Sequence, residues 1–184
     1  MRTKQEILKE LETLPLLPDG NRKVSIGFLN KLKEEVVFVF GDNNDRKGLG
    51  GQAAVARKVK NAYGFVTKKK PTHTPKDYYK PNEYSIKFES ELKKLKKEVE
   101  EKEDKWFLIP TLGNGLANKF NIWEKIIKYK IKEELINYPN VIFFFHYLDK
   151  FSKKLIKSLT PIPVAKVGFN PLGLLLKAGP AISI

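Results

Sequence analysis

The sequence predicts an α/β fold in which a mostly parallel sheet carries helices on both faces. Short apolar runs, rich in β-branched and aromatic residues, alternate along the chain with segments of helical periodicity. The clearest strand covers residues 36–40, five consecutive apolar residues that are too few for a helix interior. Two glycine-rich stretches follow predicted strands, so both are expected at the carboxyl edge of the sheet.

The N-terminal elements precede the central strand. Residues 4–14 predict an amphipathic helix, because Ile7, Leu8, Leu11 and Leu14 fall on one stripe. Residues 24–28 indicate a weak strand or turn. We therefore assign residues 1–35 to an N-terminal helical extension.

The predicted core covers residues 36–160, and an apolar tail of unassigned position follows at 161–184. A long segment, 68–84, contains three prolines and three tyrosines and is typical of a functional or disordered loop. The remaining predicted elements follow in chain order: helix 51–61, strand 62–67, helix 86–103, strand 105–111, helix 122–138, strand 140–148 and helix 149–159.

Composition excludes several classes of site. The 184 residues include no cysteine, which excludes disulfides, thiolate metal sites and a cysteine nucleophile and indicates an intracellular, cytoplasmic location. Two histidines are too few for a three-histidine zinc site, and we predict no metal. Since no run of eighteen apolar residues occurs, we expect no membrane partner.

The formal charge of +14 favours a polyanionic partner. Basic residues dominate between Arg46 and Lys80, where Asp77 is the only acid after Asp45. Nucleic acid is one such partner, because Tyr78, Tyr79 and Tyr84 could stack on bases. A nucleic-acid-binding protein is therefore a competing hypothesis.

The first glycine loop, residues 41–51, is the main candidate for ligand binding. A strand, a glycine-rich loop and a helix start in this order predict free N–H groups at the positive end of a helix dipole, where phosphate binds. A dinucleotide fingerprint is disfavoured, since seven residues separate Phe40 from Gly48, and no P-loop motif occurs. The candidate ligand-binding residues here are Gly41, Asp42, Asn43, Asn44, Gly48, Gly50, Gly51 and Gln52.

Several of these residues have a second interpretation. Asp42 is a candidate for recognition of adenine or ribose, and it is also a typical turn former. Asn43 or Asn44 could bind a ribose or adopt a left-handed turn. The glycines could serve only to build a tight helix entry.

The second glycine loop, residues 112–117, strengthens the phosphate hypothesis. Two loops at neighbouring strand ends can hold the two phosphates of a diphosphate through main-chain N–H groups. The candidate residues at this loop and at the strand end before it are Thr111, Gly113, Asn114, Gly115 and Leu116.

Three motifs in order resemble a known family. The stretch IPTLGNGLANKFNIWEKI resembles the second ligand loop of macrodomains, closest to the terminal ADP-ribose protein glycohydrolase branch. YGFVTKKKPTHTP is similar to the Thr-Lys-Lys segment of that branch, and Gly48-Leu-Gly50 matches the first ligand loop. VFVFGDN with GLGGQA also resembles macro-like proteins of phage and bacteria. The resemblance covers residues 36–148.

The resemblance implies a three-layer α/β/α macrodomain-like fold that binds ADP-ribose, or an ADP-ribosylated macromolecule, and uses no cofactor. Lys68 corresponds to the lysine that attacks the ribose anomeric carbon in that branch, and neighbouring Lys69 and Lys70 would repel its proton. The catalytic aspartate of the branch is replaced by Ala117. The sequence therefore favours binding over hydrolysis, and Lys68 has the alternative interpretation of a surface lysine near an anion.

Overall fold

The protein has an α/β fold built on a parallel sheet, as predicted. The structure is a computed structural model, and it describes residues 1–17 and 22–144. In this part of the chain the sheet has four strands, all parallel, in the order β2-β1-β3-β4. The strands are β1 (Val36–Asn43), β2 (Ala62–Lys68), β3 (Trp106–Ile109) and β4 (Val141–Phe143).

Strand β1 is central, and its position follows from its composition. It pairs with β2 on one side, where Phe40 is opposite Gly64, and with β3 on the other, where Phe38 is opposite Leu108. Both faces of a central parallel strand are covered, so a continuous apolar run is the sequence that fits there. The loops after β1 and β3 therefore leave the same edge of the sheet from adjacent strands.

The N-terminal segment forms two helices, α1 (Lys4–Glu12) and α2 (Ile26–Lys31). The predicted strand or turn at residues 24–28 is wrong, because the Ser25 hydroxyl accepts a hydrogen bond from the Phe28 N–H and caps α2. Ile7 of α1 and Leu29 of α2 are fully buried in one apolar cluster with Phe38 of β1. Helices α1 and α2 thus contribute side chains to the same hydrophobic core.

Two other helices differ in length from the prediction. Helix α3 (Ala53–Ala56) is a single turn, far shorter than the predicted 51–61. Helix α4 (Pro81–Glu101) begins before the predicted position, because Pro81 occupies its first turn and the Glu83 carboxylate accepts from the Lys80 N–H. Tyr84 therefore belongs to a helix rather than to the long loop, and a 3₁₀ turn at Pro75–Asp77 orders the segment before it.

The predicted helix at 122–138 forms as two parts, a π-helical segment at Trp123–Ile127 and helix α5 (Lys128–Leu135). The predicted extension of β4 to residue 148, the helix at 149–159 and the tail at 161–184 lie outside the described residues. Within the described ranges, the structure contains no helix long and apolar enough to cross a membrane.

Candidate functional site

The two glycine loops line one cleft of about 800 Å³ at the carboxyl edge of the sheet. They meet there because β1 and β3 are adjacent and parallel. The predicted residues that line the cleft are Gly41, Asp42, Asn43, Gly48, Gly50, Gly51, Gln52, Lys68, Thr111, Gly113, Gly115 and Leu116. Ala117, which stands at the position of the family aspartate, also lines it.

Glycines allow the two loops to approach each other closely. A Cβ on Gly41 would lie 3.2 Å from the Gly113 nitrogen, and Gly113 itself has a φ of +75°. A Cβ on Gly50 would lie 2.9 Å from Cδ1 of Leu116, whose side chain is exposed and reaches across from the second loop. Bulkier residues at these positions would separate the loops or strain their backbone.

The Gln52 side chain joins the two loops. Its Oε1 accepts a hydrogen bond of 3.2 Å from the Gly41 N–H, and its Nε2 donates one of 3.3 Å to the Thr111 carbonyl. The predicted ligand residue Gln52 therefore fixes the spacing of the loops with both ends of its amide.

Asp42 is bound by two arginines. Its buried carboxylate accepts from Arg57 and, at 3.1 Å, from Arg46. The same carboxylate accepts from the Asn43 N–H at 2.7 Å. A Cβ on Gly64 would lie 2.6 Å from the Arg46 guanidinium, so this ion-pair network requires glycine there. The network organises the first glycine loop and gives both carboxylate oxygens of Asp42 an arginine partner.

The asparagines also stabilise the loop. Asn43 donates from Nδ2 to the Lys47 carbonyl at 2.7 Å. Asn44 donates to the Tyr79 hydroxyl at 2.7 Å and lies outside the cleft lining. Asn114 is likewise absent from the lining residues. Apart from Gly48 and Gly51, the left-handed residue of this loop is Arg46, with a φ of +52°, rather than either asparagine.

The predicted helix-dipole site is not formed, because α3 has only four residues and its macrodipole is correspondingly small. The positive field comes instead from side chains. Arg22, Lys23, Lys47 and Lys68 line the cleft, and Asp42, the only acid among the lining residues, is neutralised by the two arginines. The cleft thus carries a net positive charge at the glycine loops.

Lys68 lies at the end of β2 with only 6% of its surface exposed. Its Nζ is 4.4 Å from the centroid of the Tyr78 ring and 3.5 Å from Nδ1 of His73. Among the described residues, no carboxylate lies within ion-pair distance of this amine. Burial lowers the pKa of Lys68, and the charge of Asp77 offsets part of that effect.

The sequence predicts that repulsion by Lys69 and Lys70 makes Lys68 reactive, but the structure gives a different cause for its lowered pKa. Lys69 turns away, with its Nζ 2.8 Å from the Glu83 carboxylate and above the Tyr79 ring. The chief cause of the lowered pKa of Lys68 is its own burial, rather than repulsion from adjacent lysines.

The tyrosines proposed to stack on bases are buried. Tyr84 donates its hydroxyl to the Val66 carbonyl at 2.8 Å inside the core, and it packs beside Tyr79. Tyr78 is buried between Lys68, Lys119 and the edge of Phe120. The prediction of an exposed aromatic platform is wrong, because α4 starts early and carries Tyr84 into the core.

Sequence reasoning missed several residues of the site. Arg57 and Arg46 were counted only as general positive charge, although each binds Asp42. Glu91, within the predicted helix 86–103, is fully buried and accepts from the Val66 N–H at 3.2 Å. The available signal was its place on the apolar stripe of α4, one residue before buried Leu92.

Comparison with known proteins gives one match. Residues 29–119 fit the model of a family described as a family of unknown function (DUF7831). The matched stretch includes β1, both glycine loops and Lys68, so it covers most of the residues that line the cleft. Neither the curated proteins nor the solved structures give a significant match to the chain.

Proposed function

We propose that this protein binds ADP-ribose, or a related nucleotide diphosphate, in the cleft between its two glycine loops, on a macrodomain-like three-layer fold. The observation that carries the proposal is the position of the loops: they leave adjacent parallel strands and line the same cleft. Ligands of open parallel sheets sit beyond the carboxyl ends of the strands, between neighbouring loops.

Size and charge support the same proposal. The cleft volume of about 800 Å³ falls within the range of about 300–1,000 Å³ that small-molecule sites occupy. Lys47 offers positive charge to an anion, while Asp42, the only acid among the described lining residues, is paired. Gly48, Gly50 and Gly115 are exposed and have no side chain of their own, so phosphate oxygens can approach their main-chain groups.

Removal of ADP-ribose from a macromolecule is the activity this site would support. The Lys68 nitrogen would use its lone pair to bond to the anomeric carbon, and the bond from that carbon to the macromolecule would break. The electron pair leaves with the macromolecule, which takes up a proton, and water then releases the sugar from the lysine. Asp42 cannot replace the aspartate missing at Ala117, because its oxygens are held by Arg46 and Arg57.

Titration calorimetry with ADP-ribose tests the binding proposal. We expect micromolar affinity for the wild type and no measurable heat for Gly50→Asp, which adds both volume and negative charge between the loops. Gly27→Asp is the matched control, because Gly27 is exposed on helix α2 and lies away from the cleft. Equal binding by Gly50→Asp and wild type, or no binding by wild type, would overturn the proposal.

The same variants separate the nucleic-acid hypothesis from nucleotide binding. Oligonucleotide affinity that falls steeply with salt and survives Gly50→Asp would place the ligand on the basic surface instead of in the cleft. Loss of both oligonucleotide and ADP-ribose binding in Gly50→Asp would indicate a nucleic acid that carries the nucleotide into the cleft.

A further inference from the structure

His73, Lys68 and Tyr78 form a compact polar cluster at one end of the cleft. Nδ1 of His73 lies 3.5 Å from the Lys68 amine and 3.1 Å from the Tyr78 hydroxyl. Lys68 and His73 both line the cleft, so both can be reached by a bound ligand. His73 itself is exposed, so its imidazole can exchange protons with solvent.

We propose that His73 acts on Lys68 as a base: it takes the proton from the Lys68 amine when the lysine attacks a carbonyl or anomeric carbon. The inference rests on the proposed function for its natural substrate, since it deepens the role of Lys68 at that site. His73 would thus provide the base that is lacking at position 117, where alanine replaces the aspartate of the resembled branch.

The proton balance of the attack requires such a group. A neutral lysine amine that bonds to carbon becomes a positively charged ammonium, and it must lose a proton before the adduct can proceed. In the tautomer whose Nδ1 carries no hydrogen, His73 is the nearest base in the described cleft, and that nitrogen can accept the proton. The resulting Nδ1–H then has the Tyr78 oxygen at 3.1 Å as its acceptor.

The other charged groups around Lys68 do not take this role. The Asp77 carboxylate is occupied at the 3₁₀ turn, where it accepts from the Thr74 N–H and hydroxyl. Lys119 lies over the Tyr78 ring at 5.3 Å from its centroid, and Lys69 pairs with Glu83. In this set, His73 is therefore the group whose ring nitrogen can accept a proton and whose exposed ring can release it to solvent.

Reductive methylation with formaldehyde and cyanoborohydride tests the proposal without any nucleotide. The label on Lys68 is measured by peptide mass spectrometry as a ratio to the label on Lys97, whose side chain is 73% exposed. The ratio cancels the pH dependence of the reagents. The measurement is made between pH 5 and 8 on the wild type, on His73→Asn and on Tyr78→Phe.

We expect the wild-type rate at Lys68, divided by that of His73→Asn, to fall about tenfold or more from pH 8 to pH 5, because a protonated imidazole cannot accept the proton from Lys68. Asparagine keeps a hydrogen-bond acceptor near the position of Nδ1 but takes up no proton in this range. Tyr78→Phe keeps the ring beside Lys68 and should slow Lys68 labelling without removing the pH dependence.

A purely structural role for His73 would change the rate by the same factor at every pH, and that result would overturn the proposal. If the pH dependence is found but ADP-ribose does not bind, the proposed function fails. The role of His73 as a base for Lys68 would then apply to a different carbonyl ligand. If ADP-ribose binds and the pH dependence is the same in both proteins, the proposed function stands and the role of His73 is wrong.

Discussion

The side-chain amide of Gln52 donates a hydrogen bond to the carbonyl of Thr111, 59 residues later in the chain, at 3.3 Å. The same side chain accepts from the Gly41 N–H, so one residue bonds to the end of β1 and to the segment after β3. One amide therefore links the two loops directly across the cleft.

Replacement of Gln52 should weaken both the fold and the site. Gln52→Leu removes two hydrogen bonds, one of which pairs the Gly41 N–H, and should lower the free energy of unfolding by about 1–2 kcal/mol. Urea denaturation measures this change, and calorimetry should show weaker ADP-ribose binding. Gln5→Leu on exposed helix α1 is the control. Unchanged stability and affinity in Gln52→Leu would show that the loops hold their spacing without the amide.

Gly64 should tolerate no side chain. Its Cβ would collide with the Asp42 carboxylate and lie 2.6 Å from Arg46, so Gly64→Ala must displace part of the buried ion-pair network. We expect a loss of about 1–3 kcal/mol of unfolding free energy. Gly27→Ala, in an exposed helical position where a Cβ would make only an ordinary contact with the Ser25 hydroxyl at 3.9 Å, should instead raise stability by about 0.5 kcal/mol. Equal effects of the two substitutions in a thermal melt would contradict this account.

Glu91 should make stability depend on acid pH. Burial raises the pKa of its carboxyl, but hydrogen bonds from Lys87, Lys94 and the Val66 N–H outweigh burial and hold the pKa below its ordinary 4.5. A lowered folded pKa contributes stability that is complete above pH 4.5 and is lost as the pH falls through the folded value.

Glu91→Gln tests that dependence. We expect it to unfold more easily at pH 7, by about 2 kcal/mol, and to lose less stability than the wild type between pH 5 and 3. Glu101→Gln, whose ion pair with Lys97 is exposed, should change stability by less than about 1 kcal/mol. Parallel pH curves for wild type and Glu91→Gln would remove Glu91 from the acid transition.

Lys68→Ala should abolish release of ADP-ribose from a modified protein or nucleic acid while ADP-ribose binding remains. Loss of a nucleophile lowers turnover by about 10³-fold or more. Lys76→Ala, an exposed lysine of the same segment, should keep wild-type turnover. Because burial lowers the pKa of Lys68 and only its neutral amine attacks, turnover should rise with pH below the ordinary lysine value. Equal turnover by Lys68→Ala and wild type would leave Lys68 outside the mechanism.

Local signals were sufficient for the sheet but not for every helix. The apolar run at 36–40 identifies a buried strand because only a strand covered on both faces requires such a run. Helix α2 was missed because it has only six residues and its start depends on one hydroxyl, that of Ser25. The early start of α4 was missed because prolines and tyrosines resemble a loop, although Pro81 fits the first turn of a helix.

The sequence by itself determined the α/β class, the parallel strands and the presence of two glycine loops after neighbouring strands, because periodicity and glycine positions are local properties of the chain. Only the tertiary structure decided which polar side chains face the cleft. Asp42 is bound by Arg46 and Arg57, Asn44 by Tyr79, and Lys68 is buried beside His73. Those pairings join residues from different elements, and the charge and availability of each group depend on partners that folding brings within a few ångströms.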